Sequence, residues 1–319
     1  DDLADLLRLD DPAAEPLSAL LDENADARRL VVGATANAPY LRDLIRGRPA
    51  LLLACLDAAP ETVMDELLAQ LATSVPASEA ETMVLVRRAK RQAALLIALA
   101  DLGGVWDLMT VTRALTRLAD ACVSAAIRFL LAEAAGQGRY LPPDPADPET
   151  GSGLVVLAMG KQGAGELNYS SDIDLIVFYD GDKAPLAAGT DVATFFVRLI
   201  RRMVRILQDR TADGYAFRTD LRLRPDPGAT AVAISLSAAF LYYESIGQNW
   251  ERAALIKARP CAGDRAVGEM FLREIRPFIW RKYLDYAAIR DIHSIKRQIH
   301  AVKGHGRIAI AGHNLKLGR

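Results

Sequence analysis

Residues 154–182 read LVVLAMGKQGAGELNYSSDIDLIVFYDGD, and this stretch decides the fold. Leu154–Ala158 is a short apolar run and predicts a buried strand. Gly160, Gly163 and Gly165 follow it. Ile173–Tyr179 is a second apolar run, closed by the turn Asp180-Gly181-Asp182. The glycines fit neither common phosphate loop: their spacing is not G-x-G-x-x-G, and Lys161 follows the first glycine with no G-K-[ST]. The chemistry lies in Asp172 and Asp174. Residues two apart in a strand share a face. These carboxylates therefore stand together while Ile173, Leu175 and Val177 turn to the core. Two acids so placed repel unless a cation lies between them. Mg²⁺ is a hard ion often shared between protein carboxylates and substrate phosphates. Taken alone, the pair reads equally well as two solvated acids at a strand end.

Working outward, residues 189–209 predict a long helix. Val192, Phe195, Leu199, Met203, Ile206 and Leu207 line one side, and Arg198, Arg201, Arg202 and Arg205 another. Tyr215–Arg224 predicts a third strand. Its even positions are Arg218, Asp220, Arg222 and Arg224, and its odd positions are Phe217, Thr219, Leu221 and Leu223. Period two places one acid among three guanidiniums on one face. Beside Ile173–Tyr179, Asp220 becomes a third carboxylate, and the arginines can hold phosphate oxygens bidentately. From Ser235 to about Val302 the pattern is helical.

Upstream, residues 1–140 predict a helical domain. Val111, Ala114, Leu115, Leu118, Cys122, Ala125, Ala126, Phe129 and Leu130 recur at three and four. Tyr140–Gly153, with four prolines and two glycines, cannot continue a helix. The chain therefore divides into a helical domain 1–140, a linker 141–153, a core 154–234 and a helical part 235–319. The class is α+β: a small mixed sheet embedded in a largely helical protein.

Charge separates along the same line. Residues 1–150 hold 23 acidic and 14 basic side chains, and residues 151–319 hold 17 and 25, so a half of net −9 precedes one of net +8. The basic half suits phosphates or an acidic partner, although two solvated surfaces would look the same. No charge-free apolar stretch approaches about 18 residues, so no membrane span is expected. Nor is a signal peptide expected, because Asp1, Asp2, Asp5, Asp10 and Asp11 replace a basic start. Three scattered cysteines, Cys55, Cys122 and Cys261, suit a reducing compartment and form no metal-ligand spacing. The positive charge lacks interleaved aromatics, which argues against a nucleic-acid groove. His293, His300, His305 and His313 lack zinc spacing with any cysteine.

A glycine turn, then Ser-Asp-x-Asp, then a later strand aspartate resembles the nucleotidyltransferase superfamily that includes polymerase beta. MGKQGAGELNYSSDIDL, FRTDLRLRP, NWERAALIKARP and KGHGRIAIAGHNLKLGR are similar, more closely, to the bifunctional glutamine-synthetase adenylyltransferase/adenylyl-removing family. That resemblance runs from about Arg87 to Arg319. The wording from Glu166 to Asp174 resembles the family's N-terminal, adenylyl-removing half. Gln162 and Ala164 depart from the pattern, at positions flanking the core motif.

The resemblance implies removal of AMP from an adenylylated tyrosine of glutamine synthetase, by phosphate attack with release of ADP. It implies two Mg²⁺ ions on Asp172, Asp174 and Asp220, with Gly160, Lys161, Ser170, Ser171, Arg218, Arg222 and Arg224 around nucleotide and phosphate. Arg252, Lys257 and Arg259 are further candidates to face the nucleotide, and Trp250 is assigned to core packing. Adenylylated glutamine synthetase is the implied partner, with a PII-type signalling protein as a second, in the cytoplasm. ATP-dependent adenylyl transfer and a docking or regulatory module are the alternative readings. The first residue is not Met, and the family continues beyond Leu317-Gly318-Arg319, so the chain is expected to be part of a longer protein.

Overall fold

A computed structural model describes Leu6 and residues 10–280. The helical pattern expected to reach Val302, the four histidines and the KGHGRIAIAGHNLKLGR motif are outside those residues. The helical half holds α1 (Ala14–Glu23), α2 (Ala25–Asn37), α3 (Pro39–Ile45), α4 (Pro49–Leu56), α5 (Pro60–Thr73), α6 (Glu79–Leu102) and α7 (Leu108–Gly136). Local chemistry marks their starts. Proline opens α3, α4 and α5, where a missing N–H costs nothing. Ser78 caps α6 by accepting from the Glu81 N–H, and Glu81 returns the favour to the Ala77 N–H. Asp107 caps α7 through the Thr110 N–H.

The rest comprises β1 (Leu154–Ala158), the single turn α8 (Gly160–Gly163), β2 (Ile173–Tyr179), α9 (Val192–Gln208), β3 (Thr219–Asp220), β4 (Ile234–Ser235), α10 (Leu236–Ser245), α11 (Asn249–Leu255), β5 (Arg259–Gly263), α12 (Arg265–Glu274) and α13 (Arg276–Ile279). The sheet order is β3-β2-β1-β5, with β4 also on β2. β1 runs antiparallel to β2, with Val156 opposite Val177, and antiparallel to β5. β2 is parallel to β3 at its start and to β4 at its end.

Both sheet faces are covered. Leu154, Val156, Ala158, Ile173, Leu175 and Val177 join the core that runs through α6, α7 and α9. Val155, Leu157, Ile176 and Phe178 pack on Leu236, Tyr243 and Phe271 of α10 and α12, with the Phe178 and Phe271 rings 4.7 Å apart. This explains why β1 and β2 are unbroken apolar runs. It also corrects the expected polar face of β2, because Ile176 and Phe178 follow Asp174 on that side and are buried. Only the start of that face is left to the acids.

Two further expectations are corrected. The third strand is not Tyr215–Arg224 but the two residues of β3, because the chain turns after Asp220 towards Pro225 and Pro227. β5 interrupts the expected C-terminal helices. Segment 141–153 is without helix or strand, as its prolines and glycines predict, and it is held in place: the buried Tyr140 hydroxyl donates to the Pro148 carbonyl at 2.7 Å, and the Gly263 N–H donates to buried Glu149 at 2.7 Å.

The two halves are joined by charge as well as by shared core. Arg202 of α9 pairs with Glu79 and Glu133, Arg205 with Glu79, Arg91 with Asp213, and Arg259 with Asp120. Part of the +8 is therefore met by the −9. Arg87 of α6 is fully buried and donates to the carbonyls of Met83, Ile206, Asp209 and Gly214. It thereby satisfies acceptors at the end of α9, which that helix cannot satisfy itself. Among the described residues no helix is long and apolar enough to cross a membrane.

Candidate active site

The acids meet at the edge where β2 and β3 begin. Asp174 is the cross-strand partner of Asp220, and Ile173 of Thr219. Asp172 lies just before β2. Its carboxylate is held by the Arg218 Nε, and Arg218 also donates to the Ser170 carbonyl at 2.7 Å and the Tyr215 hydroxyl at 2.9 Å. Arg222 folds back on Asp220, with Nη2 to Oδ2 at 2.5 Å and Nε 3.0 Å from both oxygens. Burial pulls the Arg218 guanidinium down, but Asp172 and Tyr215 outweigh it and hold its pKa above the usual arginine value. Arg222 is raised by its hydrogen bond to Asp220, then by that charge, with Asp174 and Asp172 adding to it. One guanidinium thus feels all three carboxylates.

Glycines bring the backbone in. Gly160 has φ +53°, and a Cβ there would come 3.2 Å from Asp174 Oδ2. Lys161 is in the same turn. A Cβ on Gly163 would meet the Lys257 carbonyl at 2.0 Å and the Ala158 carbonyl at 2.5 Å, so no side chain fits. Ser170 takes a left-handed φ of +55°, sparsely populated for a non-glycine residue. The Ser171 hydroxyl donates to Asn168 Oδ1.

Arg224 departs from the expected set. Its guanidinium donates to the carbonyls of Leu221, Pro227 and Thr230, closing the turn after β3, and burial lowers its pKa. The period-two face ends with the strand, so Arg224 does not join Arg218 and Arg222. Arg252, Lys257 and Arg259 are likewise engaged elsewhere. Arg252 donates to the Phe278 carbonyl at 3.0 Å, Lys257 to Glu166 at 2.9 Å, and Arg259 pairs with Asp120 at 2.8 Å. Trp250 is half-buried.

Supporting residues were missed because they lie on the helical half. Thr116, Asp120 and Ser124 recur every fourth residue on the otherwise apolar face of α7. Thr116 Oγ1 accepts from the Leu167 N–H, Asp120 accepts from Gln162 Nε2 at 2.9 Å, and Ser124 donates to Glu149. Burial raises the Asp120 carboxyl, while Arg259 and Gln162 pull it back. Gln162 is therefore the link from the glycine turn to α7. The polar four-residue stripe was the available signal.

A divalent cation can be tested against this geometry. Among the described residues, no three His, Cys, Asp or Glu side chains are gathered as a ligand set. Arg218 and Arg222 hold two of the acids instead. The donor type nevertheless suits a hard cation: Asp174 and Asp220 are carboxylates on directly paired residues, beside a glycine whose missing side chain leaves Asp174 approachable.

A family model described as glutamate-ammonia ligase adenylyltransferase matches residues 29–274. The chain is 55% identical over 304 residues to the bifunctional glutamine synthetase adenylyltransferase/adenylyl-removing enzyme of Xanthobacter autotrophicus, covering 95% of this chain and 31% of that protein. Proteins of the same description from Rhodopseudomonas palustris and Bradyrhizobium diazoefficiens are 54% and 52% identical, over 96% and 98% of this chain and 31% and 32% of theirs. The chain thus spans about a third of the length of these relatives. With the family model covering most of its length, the chain belongs to the glutamate-ammonia ligase adenylyltransferase family.

Proposed function

We propose that this chain carries the adenylyl-removing activity: metal-dependent phosphorolysis that takes AMP from an adenylylated tyrosine of glutamine synthetase. The supporting observation is Asp174 paired across the strands with Asp220 beside Asp172, all three acting on Arg222. The sheet is read as a nucleotidyltransferase sheet of the polymerase-beta kind. The wording of Glu166–Asp174 favours removal over ATP-dependent transfer.

In the reaction, an oxygen of inorganic phosphate bonds to the adenylyl phosphorus as the bond to the tyrosine oxygen breaks. The phenolate leaves with the bonding pair and takes a proton from water. The adenylyl group, now bonded to the phosphate oxygen, is ADP, and the proton lost by the attacking hydrogenphosphate balances the one the phenolate gains. Asp172, Asp174 and Asp220 would hold two Mg²⁺ ions, which would supply charge stabilisation at the adenylyl phosphorus. Gly160, Lys161, Ser170 and Ser171 position phosphate through backbone, ammonium and hydroxyl donors. Arg218 and Arg222 hold two anions together that would otherwise repel. Adenylylated glutamine synthetase, nucleotide and inorganic phosphate are the partners on this reading, with a PII-type protein acting on the helical half. No nucleic acid takes part, and the setting is the cytoplasm.

The test is phosphate-dependent ADP formation from adenylylated glutamine synthetase with Mg²⁺. The double variant Asp172→Asn/Asp174→Asn should retain the wild-type circular dichroism and lose ADP release by a factor of a hundred or more (on the order of 3 kcal/mol of transition-state stabilisation). Undiminished ADP release from it would overturn the assignment. Labelling of unmodified glutamine synthetase from ATP would instead identify adenylyl transfer.

A further inference from the structure

A pocket of about 360 Å³ lies where the helical half faces the segment from Arg210 to Arg218. Ser170, Ser171 and Arg218 are among its lining residues, and Arg218 is the side chain that holds the Asp172 carboxylate. Four aromatic side chains, Tyr40, Tyr169, Tyr215 and Phe217, line it together with leucines and alanines. Its charges are Arg87, Lys90, Arg91, Arg210 and Arg218 against the single acid Asp213. Three of these cations are occupied: Arg87 by backbone carbonyls, Arg91 by Asp213 and Arg218 by Asp172. Arg210 lies over the Tyr215 ring at 5.6 Å. Lys90 lies over the Phe217 ring at 4.3 Å, and among the described residues no carboxylate or carbonyl accepts from it. Burial lowers its pKa to about 8.

An aromatic, cationic pocket selects a flat ring that carries an anionic group. Free phosphate would use the cations and waste the rings. An aliphatic acid would gain little from four aromatic side chains. The volume is at the lower end of the range for small ligands, roughly 300–1,000 Å³. We infer that this pocket seats the base and ribose of the adenylyl group, with Tyr40, Tyr215 and Phe217 against the base and Lys90 and Arg210 towards its anionic side. The inference rests on the adenylyl-removing reading for the identity of the nucleotide. It extends that reading by making the helical half, through Tyr40 and Lys90, part of the substrate site.

The experiment measures AMP binding to the chain by equilibrium dialysis without added metal. Ribose 5-phosphate, which carries the same phosphate and sugar without the base, is the comparison. Tyr40 is 58% exposed, so Tyr40→Ala leaves the core intact, and Lys90→Gln tests the cation. Each variant should weaken AMP at least about fivefold, and ribose 5-phosphate should bind at least fivefold more weakly than AMP, because stacking on one ring contributes that much or more. Equal binding of AMP and ribose 5-phosphate, or affinity unchanged in both variants, overturns the pocket. If AMP binding depends on Tyr40 and Lys90 but no ADP is released from adenylylated glutamine synthetase, the pocket stands and the proposed reaction falls.

Discussion

Period two set Asp174 and Asp220 each on a polar strand face, but the parallel pairing that brings these two acids together is not written in that pattern. Arg224 was misplaced by it, since the pattern continues beyond the last ladder bond while the backbone has already turned. The two arginines therefore separate by experiment. Arg224→Met removes the donors of three turn carbonyls and should lower stability by about 1–3 kcal/mol in urea denaturation. Arg222→Gln alters a side chain that is 84% exposed, so stability should stay within about 0.5 kcal/mol while the KM for phosphate rises. Lys90 gives a pH test. Its folded pKa of about 8 is below the usual 10.5, so between those values the unfolded chain binds the extra proton. Stability then rises with pH through that window, at up to about 1.4 kcal/mol per pH unit, and the cost is fully present below pH 8. In Lys90→Met that contribution should vanish, so the variant's stability relative to wild type should be greatest below pH 8 and shrink towards pH 10. A difference that stays flat across thermal melts at those pH values would show that Lys90 is not held against its charge.

Long periodic helices and fully apolar strands announced themselves, whereas the short edge strands did not. β4 is two residues, and β5 reads Arg259-Pro260-Cys261-Ala262-Gly263, with a proline that normally argues against a strand. It is tolerated because β5 lies at the edge of the sheet beside a register shift in β1. The connection between β1 and β2 carries the tightest constraint. At Gly163 the atoms in the way are backbone carbonyls, which cannot swing aside as a side chain can. Gly163→Ala should therefore cost about 3 kcal/mol or more, in the class of severe overpacking, and lower the melting temperature by several degrees. Gly165→Ala is the comparison: nothing lies within 4 Å of its Cβ, so its cost comes only from a φ of +76°. Equal melting temperatures for the two variants would remove the argument from crowding.

At the scale of the whole chain, the charge asymmetry visible in the sequence has a second use. Arg202, Arg205 and Arg259 meet Glu79, Glu133 and Asp120 across the two halves, and the main apolar core crosses the same line. The composition break at Tyr140–Gly153 marks a change of element type, and the core continues through it. A fragment of residues 1–150 should accordingly expose the face of α7 that meets α9 and the sheet, bind a hydrophobic dye and lack near-ultraviolet dichroism, while keeping its helical far-ultraviolet signal. Sharp near-ultraviolet bands from that fragment would show that the helical half is self-sufficient. The pairing of β1 with β5 also sets a clock for synthesis. Val155 finds its partner at Gly263, more than 100 residues later. At roughly 5–20 residues per second, one edge of the newborn hairpin stays uncovered for about 5–20 s on the ribosome. Through that interval the apolar β1 strand offers its unpaired backbone to other nascent chains, so the yield of soluble protein depends on how quickly translation reaches Gly263.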